Sequence, residues 1–323
     1  MSKSDTASLP LVSAVIPTRN RPELVRRAVR SALDQTYPNL EVVVVVDGPD
    51  PATVEALHTL HESRLRVIAL AENVGGSEAR NIGAREAAGD WIAFLDDDDE
   101  WLPNKIDLQM SAAHQAQKLP IIIASQYIER GDKGDIVRPQ NFQRQGQPIS
   151  EYLFCEIPAI RPRQGFPQTS TLLTQKSLLA EIQFTRGLRR NQDSDWLLRA
   201  VPKAGGVLHF VPSVLAIFHN PQDNGRISRN LDWRDSYDWC IRNRALFTDK
   251  AFSFYLAAFC LPAAMRKKEG AHTAAGLLRD CYRNGAITPK VLWLFLRHGF
   301  IAPILKQALP RGITGTISRA MYK

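Results

Sequence analysis

The feature that most constrains the fold is the segment LEVVVVV at residues 40–46, which is apolar at every position except its glutamate. A continuous apolar run of this length predicts a strand buried on both faces of a sheet. Similar runs recur at 11–16, 65–70 and 91–95, and segments with helical spacing of apolar residues lie between them, the clearest at 21–35. Strands that alternate with helices predict an α/β fold with a mostly parallel central sheet flanked by helices.

The pattern changes after about residue 230, where it becomes entirely helical and strongly basic. We therefore expect three parts: a disordered N-terminus at 1–10, an α/β domain at 11–230 and a basic α-helical extension at 231–323. Residues 131–168 are rich in Pro, Gly, Gln and Arg. We expect them to form a long excursion that covers a site, since loops of this length are usually functional or disordered.

The charge of the chain indicates an anionic partner. Its 323 residues carry a formal net charge of +8, which favours nucleic acid, a phosphorylated substrate or a membrane surface as the partner. The sequence contains no zinc-finger, RRM or homeodomain signature, so we expect no nucleic acid.

The compartment is predicted from the cysteines and the apolar runs. The four cysteines form no CxxC pair, which indicates neither a zinc site nor a disulfide framework and favours a reducing compartment. The N-terminal residues contain no apolar h-region, and the longest apolar runs are interrupted by Pro262 or by Arg297 and His298. We therefore predict a cytoplasmic protein without a signal peptide or a transmembrane helix.

Polar side chains follow three of the predicted strands, namely PTRN at 17–20, Asp47, and the four consecutive acids Asp96–Asp99. Ligands of open parallel sheets bind at the carboxyl ends of the strands, so we expect these groups to meet at one edge. The four acids form either a solvated turn or a site for a divalent cation that offsets their repulsion. If the run stays extended, Asp96 and Asp98 share one face, and such a pair suits Mg²⁺ or Mn²⁺.

Two long segments carry the most specific signal, VSAVIPTRNRPELVRRAVRSALDQTYPNLEVVVVVDG and NVGGSEARNIGAREAAGDWIAFLDDDDEWLPNKI. Together they resemble glycosyltransferase family 2, collinearly over about residues 11–125 and again near 165–220. The resemblance implies a Rossmann-like GT-A fold and a hexosyltransferase-type glycosyltransferase. It also implies a nucleotide-sugar donor, most commonly a UDP-sugar, a divalent metal (Mn²⁺ or Mg²⁺), and inversion at the anomeric carbon. The implied acceptor is a hydroxyl of a glycan or lipid-linked glycan in bacterial surface polysaccharide or glycolipid assembly.

The resemblance also implies roles for individual residues. Asp98 is the direct metal ligand, and Asp96 lies nearer the ribose. Arg19 stands where the family usually has an aromatic, and Val46 replaces the first acid of the usual DDGS. The implied donor nucleotide-binding residues are Pro17, Thr18, Arg19, Glu23, Asp47, Gly76, Ser77, Arg80, Asp96 and Asp97.

Structural explanations stay open for some of these positions. Asp47 is also typical of a turn before a glycine, and Arg80 is also compatible with a surface position on a helix. Asp99 either holds the acidic loop or contacts a metal-bound water. Trp101, which follows the acidic run, is expected to pack under it.

A general base is implied by NQDSDW at 191–196, which resembles the ED motif of the family with Gln192 in place of the usual Glu. Asp193 takes the catalytic position, because the acceptor hydroxyl must lose its proton as it attacks the anomeric carbon. Asp195 is expected to support the helix. The alternative is that both acids are only charges that favour a helix N-terminus.

The segment IFHNPQDNGRIS at 217–228 supplies two further candidates. The resemblance implies that His219 completes the metal shell or contacts the diphosphate, and that Arg226 binds phosphate. A lone histidine is more often structural, so that explanation of His219 stays open.

Two other functions stay open, a nucleotidyltransferase and a non-catalytic scaffold on a glycosyltransferase fold. The first would show a Gly-rich phosphate loop near the first strand, and PTRNRPE is not one. The second would be expected to lose the metal or base acids. The basic C-terminal helices either cap the catalytic domain or hold the protein peripherally on the inner face of the plasma membrane.

Overall fold

The computed structural model describes residues 9–116, 120–132, 134–155, 166–220, 232–267 and 269–301. The chain forms two compact units. The first unit comprises Met1–Pro139, Pro167–Leu188 and Gln192–Asn224, and the second comprises Gln140–Phe166, Arg189–Asn191 and Gly225–Lys323. Most of the N-terminal segment expected at 1–10 lies outside the described residues.

The described residues form nine strands and twelve α-helices. The strands are β1 Val12–Thr18, β2 Leu40–Val46, β3 Leu65–Ala69, β4 Trp91–Phe94, β5 Glu100–Trp101, β6 Ile122–Gly131, β7 Gly134–Arg138, β8 Leu173–Gln175 and β9 His209–His219. The helices are α1 Pro22–Leu33, α2 Pro51–His58, α3 Gly76–Glu86, α4 Lys105–Gln115, α5 Ile149–Cys155, α6 Lys176–Glu181, α7 Gln192–Lys203, α8 Trp233–Arg242, α9 Asp249–Tyr255, α10 Leu261–Arg266, α11 Ala271–Asn284 and α12 Pro289–Phe295.

The strands form one mixed sheet in the first unit, in the order β3-β2-β1-β4-β8-β6-β9-β5, with β7 paired to β6. The half built from β3, β2, β1 and β4 is parallel. The other half joins through antiparallel pairs at β8, β5 and β7, although β6 and β9 are parallel. The expected α/β architecture is confirmed, and its parallel part coincides with the βαβ repeats of the sequence.

The strand predicted from LEVVVVV is β2, whose residues are buried except for the half-buried Glu41. The central position of β2, between β1 and β3, explains why both of its faces are covered. Helix α3 lies directly against this part of the sheet. A Cβ at Gly83 would overlap Val15 and lie 3.2 Å from the Val45 side chain. This close approach fixes the position of α3, which carries several candidate site residues.

An aromatic cluster forms part of the core of the second unit. Phe154 of α5 lies 5.3 Å from Phe247, 5.0 Å from Tyr255 and 6.3 Å from Trp239, between ring centroids. The second unit therefore includes α5, which is far from the C-terminal extension in sequence. The excursion expected at 131–168 contains β7 and α5, and its residues 156–165 lie outside the described part. No helix among the described residues is long and apolar enough to span a membrane.

Candidate active site

The acidic run Asp96–Asp99 is not extended. It forms a tight turn after β4, in which the Asp99 N–H donates to the Asp96 carbonyl at 3.1 Å. The extended run that would place Asp96 and Asp98 on one strand face is therefore not formed, because a turn ends the period-two pattern of a strand. Each acid instead has its own set of partners.

Asp97 is buried at the end of β1. Its carboxylate accepts hydrogen bonds from Thr18 Oγ1 at 2.8 Å and from the Arg21 guanidinium at 2.9 Å. Burial raises the pKa of Asp97 to about 6, against the opposing attraction of Arg21. Two of the implied nucleotide-contacting residues, Thr18 and Asp97, thus lie together although 79 positions separate them in sequence.

Asp98 lies beside two arginines that the sequence analysis missed. Its side chain is 3.4 Å from Arg21 Nη1, and its carbonyl accepts a 2.6 Å hydrogen bond from Arg27 Nη2. Arg27 also pairs with Glu100 at 3.4 Å. The only available signal was their position, Arg21 immediately before α1 and Arg27 within it, which does not indicate what they contact.

Asp99 supports the turn from its buried side. It is fully buried, accepts a 2.6 Å hydrogen bond from Ser170 Oγ, and accepts the backbone N–H of His219 at 3.3 Å. Trp101 is also buried, and its indole N–H donates to the Ser170 carbonyl at 2.8 Å. Trp101 and Asp99 thus share a bonding partner, Ser170, and Asp99 supports the loop.

Arg80 joins the acidic turn to the candidate base. One end of its guanidinium pairs with Asp96, and the other donates to Gln192 Oε1 at 2.7 Å. Arg80 is buried, so its position on α3 is internal and not the surface position that the sequence left open. Gln192 also donates to the Leu188 carbonyl at 2.6 Å. The amide thus supports the start of α7, where the family usually has a carboxylate.

Asp193 follows on the first turn of α7. Burial raises its pKa, and the negative charge of Asp96 raises it further, while Arg80 opposes both effects. The neighbouring acid has a different role. Asp195 is buried, accepts Thr185 Oγ1 at 2.7 Å and pairs with Arg199 at 2.6 Å. Asp193 is therefore partly exposed, whereas Asp195 is buried and bonded to two side chains.

Asp47 binds the loop that leads into α3. Its two carboxylate oxygens accept the Val74 N–H at 2.7 Å, the Gly75 N–H at 3.0 Å and the Asn73 side-chain amide at 2.6 Å. Gly75 has φ of +87°, which favours glycine at this turn. Ser77, in the first turn of α3, is buried, and its hydroxyl has no hydrogen-bond partner in the described part of the chain. A buried hydroxyl without a partner fits a ligand group that would complete it.

The remaining candidates lie around this centre. Pro17 is buried in β1, whereas Arg19 and Glu23 are exposed. His219 Nε2 lies 2.6 Å from Glu100, and burial lowers the pKa of the ring against the opposing effect of that carboxylate. Arg226 lies outside the described residues. Gly76 approaches both Arg80 and Gln192, since a Cβ there would lie 3.3 Å and 3.5 Å from them.

The acidic turn offers oxygen ligands of the kind that Mg²⁺ and Mn²⁺ prefer. Among the described residues no group of three or more His, Cys, Asp or Glu side chains is arranged to hold a metal ion by itself. Asp98 and Asp96 carry carboxylates of the kind that, one or two at a time and together with water and phosphate oxygens, would hold Mg²⁺, and in the described structure each is paired with an arginine. Arg21, Arg27 and Arg80 already reduce the repulsion between the carboxylates of the turn.

Residues 13–191 match the family model described as "Glycosyl transferase family 2". The chain belongs to this family. A glycosyltransferase of amylovoran biosynthesis, AmsB of Erwinia amylovora, is 30% identical over 76% of this chain and 83% of its own length. The putative colanic acid glycosyl transferase WcaA of Escherichia coli K12 is 27% identical over 74% of this chain and 87% of its own. An uncharacterized glycosyltransferase of Rickettsia felis is 32% identical over 68% of this chain, which spans only 36% of that protein.

Solved structures show the same fold. The crystal structure of S. aureus TarS residues 1–349 with UDP-GlcNAc covers 93% of this chain and 82% of its own at a TM-score of 0.57 and 19% identity. A mannosyltransferase of Pyrobaculum calidifontis in complex with GDP-Man and Mn²⁺ covers 97% of this chain and 80% of its own at a TM-score of 0.54 and 17% identity. The chain is therefore a glycosyltransferase with the GT-A fold.

Proposed function

We propose that this glycosyltransferase is a metal-dependent, inverting enzyme that moves a hexosyl group from a nucleotide-sugar to a hydroxyl acceptor. The observation that carries the proposal is the Arg80 bridge. It pairs with Asp96 in the acidic turn and bonds Gln192, the residue next to Asp193. Arg80 therefore links the acidic turn to the start of α7, where the candidate base Asp193 lies. The proposal treats the two as parts of one active site.

Asp193 is the general base of the proposal. It takes the proton from the acceptor hydroxyl as the oxygen attacks the anomeric carbon, and the diphosphate leaves from the opposite side. A single displacement of this kind inverts the anomeric centre. The raised pKa of Asp193 supports the role, because a base whose pKa lies closer to the working pH holds the proton better during transfer.

In the proposal, the acidic turn binds the diphosphate of the donor. Asp98 would hold the divalent cation with Asp96 beside it, and a bound cation would supply neutralisation of the charge that develops on the leaving diphosphate. Arg21, which lies 3.4 Å from Asp98, provides a further positive charge at the same place. His219 is a further candidate metal ligand, although its Nε2 already pairs with Glu100 at 2.6 Å.

The nucleotide would lie between the ends of β1 and β2 and the start of α3. Pro17, Thr18, Arg19, Glu23, Asp47, Gly76, Ser77 and Asp97 are the proposed contacts. The unpartnered hydroxyl of Ser77 and the loop tied by Asp47 support this placement. We propose a UDP-sugar as the donor; the complexes of the structural neighbours contain UDP-GlcNAc in one case and GDP-Man with Mn²⁺ in another.

The proposed acceptor is a glycan or lipid-linked glycan in the assembly of a bacterial surface polysaccharide. Relatives named for amylovoran and colanic acid biosynthesis support this class of acceptor. Such an acceptor is anchored in a membrane, so the proposal places the enzyme in the cytoplasm with peripheral contact at the inner face of the plasma membrane.

A thermal-shift screen tests the donor site. UDP-, GDP- and dTDP-sugars are each added with and without Mn²⁺ to the wild type, to Asp98→Asn, and to Asp90→Asn as a control at an exposed aspartate. A ligand at about 100 times its Kd adds about 2.7 kcal/mol to stability. We expect an Mn²⁺-dependent shift with one nucleotide that survives in Asp90→Asn and disappears in Asp98→Asn. A cooperative melt that no donor shifts would contradict the proposal and favour a non-catalytic scaffold.

A further inference from the structure

The positive charge of the chain is concentrated at its C-terminal end. The last 43 residues, 281–323, contain seven Lys or Arg residues and no Asp or Glu, against a net charge of +8 for the whole chain. The proposed active site accounts for none of these charges. A segment with this charge favours an anionic surface as its partner.

The described part of this segment also exposes large apolar side chains. Helix α12 continues into a π-helical turn, Leu296–Ile301, and buries Val291, Leu294 and Phe295. On its other side Leu292, Trp293 and Leu296 are 43%, 46% and 52% exposed. The helix therefore already has a buried face in the second unit, and its outer face is apolar in addition.

Basic side chains border these apolar ones. The Arg297 guanidinium lies 5.0 Å above the Trp293 ring, and Lys290 is exposed one turn before. Tyr282 of α11, 79% exposed, is the most exposed large side chain among the described apolar residues. Leucine and aromatic rings beside Lys and Arg are the composition of helices that lie in a membrane interface. A bilayer surface accounts for both features of this face, because it takes up apolar side chains among its headgroups and attracts cations to its phosphates.

We propose that the outer face of α12, formed by Lys290, Leu292, Trp293, Leu296 and Arg297, binds the surface of an anionic phospholipid bilayer. The apolar side chains enter the headgroup region, and the basic ones contact lipid phosphates. The inference depends on the proposed function only for its purpose, which is to hold the enzyme where a lipid-linked acceptor lies.

Vesicle flotation of the full chain tests this inference. The vesicles contain phosphatidylcholine alone or phosphatidylcholine with phosphatidylglycerol. We expect flotation only with phosphatidylglycerol, and less of it at high salt, because salt screens the attraction. In the double variant Leu292→Ser/Leu296→Ser, binding should weaken more than about tenfold, since two large apolar side chains no longer enter the interface.

Matched controls separate this surface from general effects. Ile136→Ser/Val137→Ser removes two other exposed apolar side chains, in β7, and should float like the wild type. Lys290→Gln/Arg297→Gln should weaken binding about fivefold for each charge removed. Arg30→Gln/Arg85→Gln removes the same charge from exposed sites of α1 and α3 and should change binding much less. Equal losses in a variant and its control would overturn the assignment of this face.

The outcome is independent of the donor screen, because flotation needs no nucleotide-sugar. Absence of flotation at low salt, with the Mn²⁺-dependent donor shift intact, would overturn this inference alone and point to a protein partner or to residues 302–323 as the cover of the face. Flotation without any donor shift would leave the inference standing and contradict the proposed function.

Discussion

At the scale of single residues, the site depends on how its charges are divided. Asp99 and Asp195 are buried and fully engaged in hydrogen bonds or ion pairs, so they act as supports. Asp193 keeps partial exposure and a raised pKa. Asp193 and Asp195, only two positions apart, thus have different roles, because their environments differ.

We expect Asp193→Asn to lower kcat by about 10²–10⁴-fold, the usual contribution of a general base. Donor binding should remain, since the amide has nearly the same shape and the donor side of the site is unchanged. Steady-state kinetics together with the donor thermal shift measure the two effects separately. If donor binding disappeared along with turnover, Asp193 would be a structural residue of the donor site instead.

The pH dependence of activity should depend on the positive charge of Arg80, because that charge lowers the pKa of Asp193. Asp193 must be deprotonated to act, so kcat/KM should fall as the pH drops through its raised pKa. Arg80 opposes that rise, so Arg80→Gln should move the acid limb of the profile to higher pH. The control is Arg85→Gln, at an exposed position of the same helix. If the acid limb did not move in Arg80→Gln, Arg80 would not influence the pKa of Asp193.

At the scale of elements, the approach of α3 to the sheet sets the position of Ser77 and Arg80. Gly83 permits that approach, because a side chain there would overlap Val15 and contact Val45. The turn at the start of the helix is tied separately by Asp47. Helix α3 is therefore fixed at its beginning and at its middle.

Two matched glycine substitutions test this packing. Gly83→Ala should destabilise the protein by about 1–3 kcal/mol, because the added methyl group overpacks the contact with β1 and β2. Gly276→Ala, in α11, finds nothing closer than 4.0 Å and should stabilise by up to about 1 kcal/mol through helix propensity. Denaturant unfolding measures both. Equal effects of the two substitutions would show that α3 does not need its glycine for close packing.

At the scale of the whole molecule, the chain builds two units from interleaved segments. Helix α5 lies between segments of the first unit in sequence but packs in the second, where Phe154 stacks on Phe247 at 5.3 Å. The second unit therefore needs residues that a division at residue 230 would leave out.

Phe154→Ala should destabilise the second unit by about 3–5 kcal/mol, because a large aromatic side chain is removed from a packed cluster. Tyr282→Ala, at an aromatic residue that is 79% exposed, should stay within about 0.5 kcal/mol of the wild type. Thermal unfolding followed by tryptophan fluorescence detects the change through Trp239, which lies 6.3 Å from Phe154. A small effect of Phe154→Ala would mean that α5 contributes little to this core.

The sequence by itself determined the parallel half of the sheet, the acids at its strand ends and the family. These features are local, because strand and helix periodicity and short motifs need only neighbouring residues. The continuous apolar run of β2 and the acidic run after β4 are the clearest cases.

Only the tertiary structure decided how these residues are combined. Arg80 bridges residues 16 and 112 positions away. Arg21, immediately before α1, and Arg27, within α1, reach the acidic turn. The sequence also left open whether the acidic run turns, and it did not show that α5 joins the second unit. A contact between distant segments depends on the packing of whole elements, and no local pattern encodes which charged side chain meets which partner.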